Sequence, residues 1–262
     1  MPKMTVVCML FIATTLQAQV DKLPVAYPYV READMFWVRR VWRVIDFREK
    51  MNQSFYYPPE PAQGRVNFLT MVLSALKEGT LIAYSPMDDE FKKPLNWSEL
   101  KNSFYRKDTV LREDPLHPGM FEDTVLEMTI DFSKVKKLRL KEEWFVDKQR
   151  SMLEVRILGF CPVMDAVDEA GNYKGTQPLF WINFEQARPV LAKTLVYNPR
   201  NDALCRNWDE IFALRYFSSY VIKVSNVFDR YISEYASGMD AMLEAEKVKD
   251  DIFDFEQSLW EH

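Results

Sequence analysis

The sequence predicts an α+β fold in which two duplicated helix–strand–helix lobes surround a central antiparallel hairpin, with an amphipathic helix at the C-terminus. Three observations predict this fold. One series of motifs occurs twice in the same order. Two stretches between the copies alternate apolar and polar residues, as half-buried strands do. The last stretch carries apolar residues at alternating spacings of three and four, which is typical of a helix with one buried face.

Residues 1–18 have the features of a secretory signal peptide. Lys3 gives a positive start, a short apolar core follows, and Ala18 offers a small residue for cleavage. The core is far shorter than the ~20 residues that a membrane-spanning helix needs. We therefore expect a secreted mature chain without a membrane span.

Residues 19–64 are predicted to form a Trp/Arg-rich helix and then a proline-rich linker. Between residues 36 and 51 the apolar side chains form a stripe that a helix would bury, while arginines would leave the opposite face cationic. Trp and Arg are strongly enriched at interface hot spots, so this helix is a candidate partner-binding element. A strand over residues 41–47 is the alternative, because they align loosely with residues 153–160.

The repeated motifs predict an internal duplication. The first lobe, residues 65–135, has a helical stretch, a short strand with a Tyr, a Pro-terminated turn and then Asn96-Trp97-Ser98-Glu99. The second lobe lies within residues 136–236 and repeats the series up to Asn207-Trp208-Asp209-Glu210. Asn at the cap with Glu three residues later satisfies free helix N–H groups, so a structural role explains these motifs. Chance similarity is the alternative to duplication.

The alternating stretches between the copies are residues 124–131 and 152–160, and we place a small antiparallel sheet there. Arg150 and Ser151 would turn the central hairpin.

The C-terminal helix, residues 237–262, carries a heptad-like apolar seam whose other faces are strongly acidic. The seam residues are Ala241, Ala245, Val248, Ile252, Phe255 and Leu259. About three heptads are too few to require a coiled coil. The helix therefore packs on its own domain or docks a partner.

Composition argues against several classes of function. The net charge of -5 and the short basic runs do not fit a nucleic-acid-binding protein, which is usually basic. With 2 histidines and 7 glycines, a histidine-based metal site, a histidine-assisted nucleophile and a phosphate-binding glycine loop lack support, so we expect neither enzymatic activity nor a cofactor. Carboxylate pairs such as Asp46 with Glu49, or Asp88 with Asp89, leave glycosidase chemistry as a minor alternative.

The chain has two cysteines after the signal, Cys161 and Cys205. In an oxidising compartment they could form a disulfide, worth about 4 kcal/mol by loop-entropy arithmetic. Two separately buried thiols are the alternative.

Three blocks of sequence resemble the GldN/PorN family of the type IX secretion and gliding machinery of Bacteroidetes. The first runs from Trp42 to Asn52 and on to Tyr56-Tyr57-Pro58. The second covers residues 140–150 and 155–159, and the third covers residues 207–212 and 217–220. They follow the order of the family and span nearly the whole mature chain, but none is a catalytic motif.

The resemblance implies a non-enzymatic scaffold in the periplasm, held at the inner face of the outer membrane through its partners. Those partners would be a GldK/PorK-type lipoprotein, a GldM/PorM-type motor subunit and further copies of the chain in a ring. The resemblance and the composition of the first block together indicate a set of candidate partner-binding residues: Trp37, Arg39, Arg40, Trp42, Arg43, Tyr56 and Tyr57.

Two functions from other classes compete with the scaffold. A peptidoglycan- or glycan-binding module would use exposed aromatic residues, which make up 14% of the chain. A cell-wall hydrolase would need two exposed carboxylates in one cleft.

Overall fold

The computed structural model describes residues 23–61, 65–103, 105–113, 121–129, 134–167, 173–197 and 206–259. The predicted signal peptide, residues 1–18, and Cys205 lie outside the described residues. The strands are β1, Met35–Asp46; β2, Ala83–Tyr84; β3, Pro94–Leu95; β4, Tyr105–Glu113; β5, Phe121–Thr129; β6, Val135–Asp147; β7, Met152–Val167; β8, Tyr173–Pro178; β9, Trp181–Asn183; and β10, Tyr220–Val224. The helices are α1, Gln53–Tyr56; α2, Phe68–Lys77; α3, Trp97–Ser103; α4, Phe184–Lys193; α5, Trp208–Ala213; and α6, Met239–Ser258.

The main sheet contains eight strands, of which seven follow the order β10-β1-β6-β7-β9-β2-β3, while β8 pairs with β7. All of these pairings are antiparallel. Strands β4 and β5 form a separate antiparallel pair. The prediction of a mixed helix and strand fold with an antiparallel sheet is therefore confirmed.

The central hairpin is formed by β6 and β7, the two longest strands of the sheet, with 13 and 16 residues. They pair from Val135 with Met164 to Asp147 with Met152, and the turn lies at residues 148–151 as predicted. The two alternating stretches do not share a sheet, however, because residues 121–129 pair with β4 instead.

The predicted Trp/Arg-rich helix is wrong, because residues 35–46 form strand β1 between β10 and β6. The alternative of a strand over residues 41–47 is close to the observed structure. Trp37, Val41 and Ile45 recur every four residues, a spacing that places side chains on one face of a helix and also on one face of a strand. Every residue from Val41 to Asp46 is buried, so the alternation that identifies a half-buried strand is not visible in the sequence.

The two repeated segments begin in the same way. Asn67 caps α2 by accepting a hydrogen bond from the Thr70 amide at 2.8 Å, and Asn183 caps α4 by accepting one from the Gln186 amide at 3.2 Å. The segments contribute to one core instead of forming separate lobes, because β2 of the first pairs with β9 of the second. Common ancestry of the segments stays a prediction.

Five large aromatic side chains meet in the main core, around Phe55. This side chain is fully buried, and its ring lies 5.0–5.8 Å from four others. The four rings come from the end of β1, from α2 and from α5: Phe47, Phe68, Trp208 and Phe212. The cluster therefore ties the sheet to both repeated segments.

The apolar seam of helix α6 packs on its own chain. Ile252 is buried with Val41 and Val221 of the sheet, and Ala241, Ala245 and Val248 lie against the same cluster. At the C-terminal end, the Phe255 ring stacks on Trp37 with 4.6 Å between centroids.

We expect Phe55→Ala to lower the free energy of unfolding by about 3–5 kcal/mol, because it empties a closely packed aromatic site. Phe36→Ala is the matched control, since Phe36 is 60% exposed and a surface substitution changes stability by about 0.5 kcal/mol or less. Urea unfolding measures both variants. Equal unfolding midpoints for the two variants would contradict the assignment of Phe55 to the core.

Candidate partner-binding surface

The structure separates the candidate partner-binding residues into buried and exposed groups. Trp42 is 5% exposed and Arg43 is 8% exposed. The expectation that Arg43 lies on an exposed cationic face is therefore wrong, since neighbouring residues of this strand point to opposite faces that are both covered. Neither side chain can contact a partner without local unfolding.

Trp42 is held by charged groups on its face of the sheet. Its indole Nε1 donates a hydrogen bond to the Asp89 carboxylate at 2.6 Å. The Lys141 and Lys223 ammonium groups lie 5.6 and 4.5 Å from the centroid of the indole. Lys141 also donates to the Asp89 carbonyl at 2.8 Å. These contacts hold the segment between β2 and β3 against the sheet. Trp42 therefore has a structural role.

Arg43 lies on the other face in a buried ion-paired group. Its Nε is 3.4 Å from the carboxylate of Glu142, a residue with no exposed surface. Arg215 Nη2 lies 2.9 Å from the same carboxylate, and Trp144 Nε1 donates to it at 3.0 Å. Burial lowers the pKa of Arg43 from its usual value, and the Glu142 carboxylate opposes this effect. The two arginines together stabilise the buried Glu142 carboxylate, which has no contact with solvent.

The first half of β1 holds the half-buried and exposed members of the set. Trp37 stacks on Phe255 of α6, and the Arg39 guanidinium lies 5.6 Å from the centroid of the Trp37 ring. Arg40 is exposed, and its Nε lies 3.4 Å from Glu143. Arg40 also lines a surface cavity of 670 Å³ beside Lys141 and other charged and apolar side chains.

Tyr56 and Tyr57 line a second surface pocket, of 570 Å³, which we call the tyrosine pocket. They are 53% and 44% exposed. The Tyr57 ring lies 5.0 Å from that of Tyr197, and Phe47 also lines the pocket. The remaining lining residues are polar or cationic: Arg48, Gln53, Ser54 and Lys136. The volume falls in the ~300–1,000 Å³ range of ligand pockets.

The buried neighbours of the two tyrosines fix the shape of the pocket. Phe55 points into the core, and the two residues that follow it, Tyr56 and Tyr57, are exposed at the surface. Asn52, which has no exposed surface, donates from Nδ2 to the carbonyls of Asp46 and Ser218 at 2.8 and 2.9 Å. These bonds tie the turn after β1 to the segment before β10.

The rim of the tyrosine pocket is cationic. The Arg48 side chain is 60% exposed, and its Nε donates to the Asp46 carboxylate at 2.9 Å. This bond lowers the pKa of Asp46 from its usual value. Lys136 is exposed and forms no ion pair with the residues that the structure describes. The rim can therefore attract an acidic ligand, although Asp46 offsets part of the charge of Arg48.

Two residues of this pocket, Tyr56 and Tyr57, were predicted from the sequence, and the others were not. Tyr197 belongs to the second repeated segment, and Lys136 begins the hairpin, so only the fold brings them to Tyr57. Arg48 lay inside the first family block but carried no separate signal.

Three of the four carboxylates considered for a hydrolase, Asp46, Asp88 and Asp89, have structural roles. Asp46 is occupied by Arg48, and Asp89 accepts from both Trp42 and Lys141. Asp88 accepts a hydrogen bond from the Glu90 amide at 2.9 Å. The hydrogen bonds of these three carboxylates stabilise the fold.

Cys161 is a free thiol with no exposed surface. Burial raises its pKa to about 12, so the thiol stays protonated near neutral pH. Cys161 packs with Trp42, Val163 and Trp181. The possible bridge to Cys205 stays a prediction, because Cys205 lies outside the described residues.

The fold and the site define an α+β protein built on one large antiparallel sheet, with an open aromatic pocket beside the end of strand β1. A family model described as gliding motility associated protein GldN matches residues 30–261. The chain belongs to this family and is a gliding-motility-associated protein. The family is not a known enzyme family. A comparison with curated proteins found no match. Within the described ranges, none of the helices is both long and apolar enough to cross a membrane.

We expect Arg43→Glu to lower the free energy of unfolding by about 3–5 kcal/mol, because it breaks a buried ion pair and places a second carboxylate beside Glu142. Arg40→Glu is the control on the same strand and should cost no more than about 1 kcal/mol, since Arg40 forms only an exposed ion pair. Urea unfolding of both variants tests this difference. Retained stability in Arg43→Glu would rule out the buried ion-paired group.

Proposed function

We propose that the chain is a non-enzymatic periplasmic scaffold subunit of the type IX secretion and gliding machinery. In this proposal it forms a ring with a GldK/PorK-type lipoprotein, contacts a GldM/PorM-type motor subunit, and is held at the inner face of the outer membrane by these partners. Membership of the GldN family supports the assignment to the machinery. The signal peptide at residues 1–18 would provide the route to the periplasm.

The observation that carries the proposal is the presence of two separate exposed surfaces suited to protein contacts. One is the tyrosine pocket with its cationic rim. The other is the outer face of α6, which exposes Met239, Met242, Leu243 and Phe253 among acidic residues. A subunit that joins a ring to a motor needs at least two such surfaces, because it binds different proteins at once.

The C-terminal end of the α6 surface and the tyrosine pocket lie near opposite ends of β1. Phe255 of α6 stacks on Trp37 near the start of this strand, and Phe47 lines the pocket just after its end. At about 3.3 Å per residue, Trp37 and Phe47 are about 33 Å apart. One partner at the pocket therefore leaves the C-terminal end of the helix accessible to another.

The exposed members of the predicted set remain the proposed partner-binding residues: Arg40, Tyr56 and Tyr57. Aromatic and arginine side chains at well-packed sites contribute most of the binding energy of protein interfaces. Trp37 and Arg39 would support Arg40 from the same strand, whereas Trp42 and Arg43 are explained by the fold.

We expect a Tyr56→Ala, Tyr57→Ala double variant to enter large assemblies with the GldK-type lipoprotein of the same organism at least about tenfold less readily, because loss of interface hot spots costs more than ~1–2 kcal/mol. Co-purification and size-exclusion light scattering measure the loss. Tyr235→Ala is the matched control, since Tyr235 is also 53% exposed but lies outside the pocket. Full assembly by the double variant would exclude the pocket from the contacts within the complex. Absence of lipoprotein binding by the wild-type chain would contradict the scaffold proposal.

A glycan-binding role is the second candidate, because three tyrosines line one open pocket and could stack on sugar rings. Addition of peptidoglycan fragments to the purified chain distinguishes the two functions. A saturable tyrosine fluorescence change that disappears in the double variant would favour glycan binding. An unchanged signal, together with lipoprotein binding, would favour the scaffold.

A further inference from the structure

Helix α6 presents one large aromatic side chain to solvent near its C-terminal end. Phe253 is 57% exposed, whereas Phe255 on the inner side of the same turn stacks on Trp37. Residues three apart are neighbours on a helix surface, so Asp250 and Glu256 lie on either side of Phe253. Phe253 is therefore an exposed aromatic group bordered by carboxylates.

The one nearby lysine does not cancel this acidic border. Lys249 lies four residues before Phe253, but its ammonium is 2.7 Å from the Glu246 carboxylate. The surroundings of Phe253 thus remain acidic, and a matching surface would combine an aromatic cavity with cations.

The tyrosine pocket has these complementary features. Its walls include Tyr56, Tyr57 and Tyr197, and Phe47 adds apolar surface. Aromatic rings pack favourably edge-to-face or offset against one another, which a Phe side chain inside this pocket could do. Lys136 and Arg48 at the rim would face the carboxylates beside an entering Phe.

The two features of a single chain cannot meet. They lie at opposite ends of β1, about 33 Å apart by the rise of the strand. A contact between different patches on two copies is heterologous, and repetition of such a contact gives a ring if the rotation closes. The arrangement thus fits head-to-tail association.

We propose that Phe253 of one copy inserts into the tyrosine pocket of the next copy, with Asp250 and Glu256 beside Lys136 and Arg48. The partner at this pocket is thus a second copy of the chain. This inference rests on the proposed scaffold function and identifies the contact between neighbouring subunits.

Sedimentation of the chain without its predicted signal, over a range of concentrations, gives the first test. We expect Phe253→Ala to weaken self-association at least about tenfold, as loss of an aromatic hot spot does. Phe36→Ala is the matched control, since Phe36 is the same residue type at a similar exposure, 60%, and lies outside both α6 and the tyrosine pocket. Both substitutions are at the surface, so circular dichroism should show unchanged folding. An equal effect of the two variants, or none, would overturn the proposal.

Disulfide trapping tests the geometry of the contact. Lys136→Cys and Asp250→Cys chains, which keep Phe253 and the three pocket tyrosines, are prepared separately in a Cys205→Ser background and mixed under mild oxidation, with and without the GldK-type lipoprotein. Cys161 is buried and should not react. The expected product is a linked dimer that contains one chain of each variant, at a yield well above that for Phe36→Cys mixed with Lys136→Cys.

The outcomes separate this inference from the scaffold proposal. Absence of the mixed dimer in both conditions overturns the head-to-tail contact, and the scaffold proposal survives if the lipoprotein still binds. Tyrosine-pocket variants that lose the lipoprotein while Phe253→Ala self-associates normally would assign the pocket to the lipoprotein. Loss of lipoprotein binding by the wild-type chain would contradict the scaffold proposal alone.

Discussion

Strand β1 is enclosed on both faces from Val41 to Asp46, and the rest of the fold depends on this enclosure. On one face Ile45 joins the main aromatic core, and on the other Trp42 packs beneath the segment between β2 and β3. Because alternate side chains of a strand point in opposite directions, burial of all six residues requires cover from both sides. The Arg43–Glu142–Arg215 group lies on the same face as Val41, whose cluster receives α6.

This enclosure changes which residues are available to partners. The tryptophan and arginine that looked most like an interface are used to fasten the sheet, each in a buried polar arrangement. The exposed aromatic residues come directly after, where the chain leaves the sheet and Phe55 anchors it in the core. A sequence block rich in Trp, Arg and Tyr thus combines a structural half with a surface half.

Much of the architecture could be predicted from the sequence. The period of residues 152–160, the Asn207–Glu210 capping box and the seam of α6 are local signals, and each corresponds to its observed element. The capping box shows both of its reciprocal hydrogen bonds. Strand β1 was assigned incorrectly because an apolar spacing of four fits a helix and a strand equally, and burial on both faces removes the alternation. The pocket could not be predicted, since Tyr57, Lys136 and Tyr197 meet only through the tertiary fold.

The tyrosine pocket and the outer face of α6 are the proposed contact surfaces, while β1 stays buried. Hydrogen–deuterium exchange of the chain, alone and in its complex with the GldK-type lipoprotein, distinguishes these surfaces from β1. We expect new protection at residues 53–57 or along α6, with unchanged exchange at residues 41–46. Changed exchange at residues 41–46, with none at the pocket or α6, would contradict this expectation.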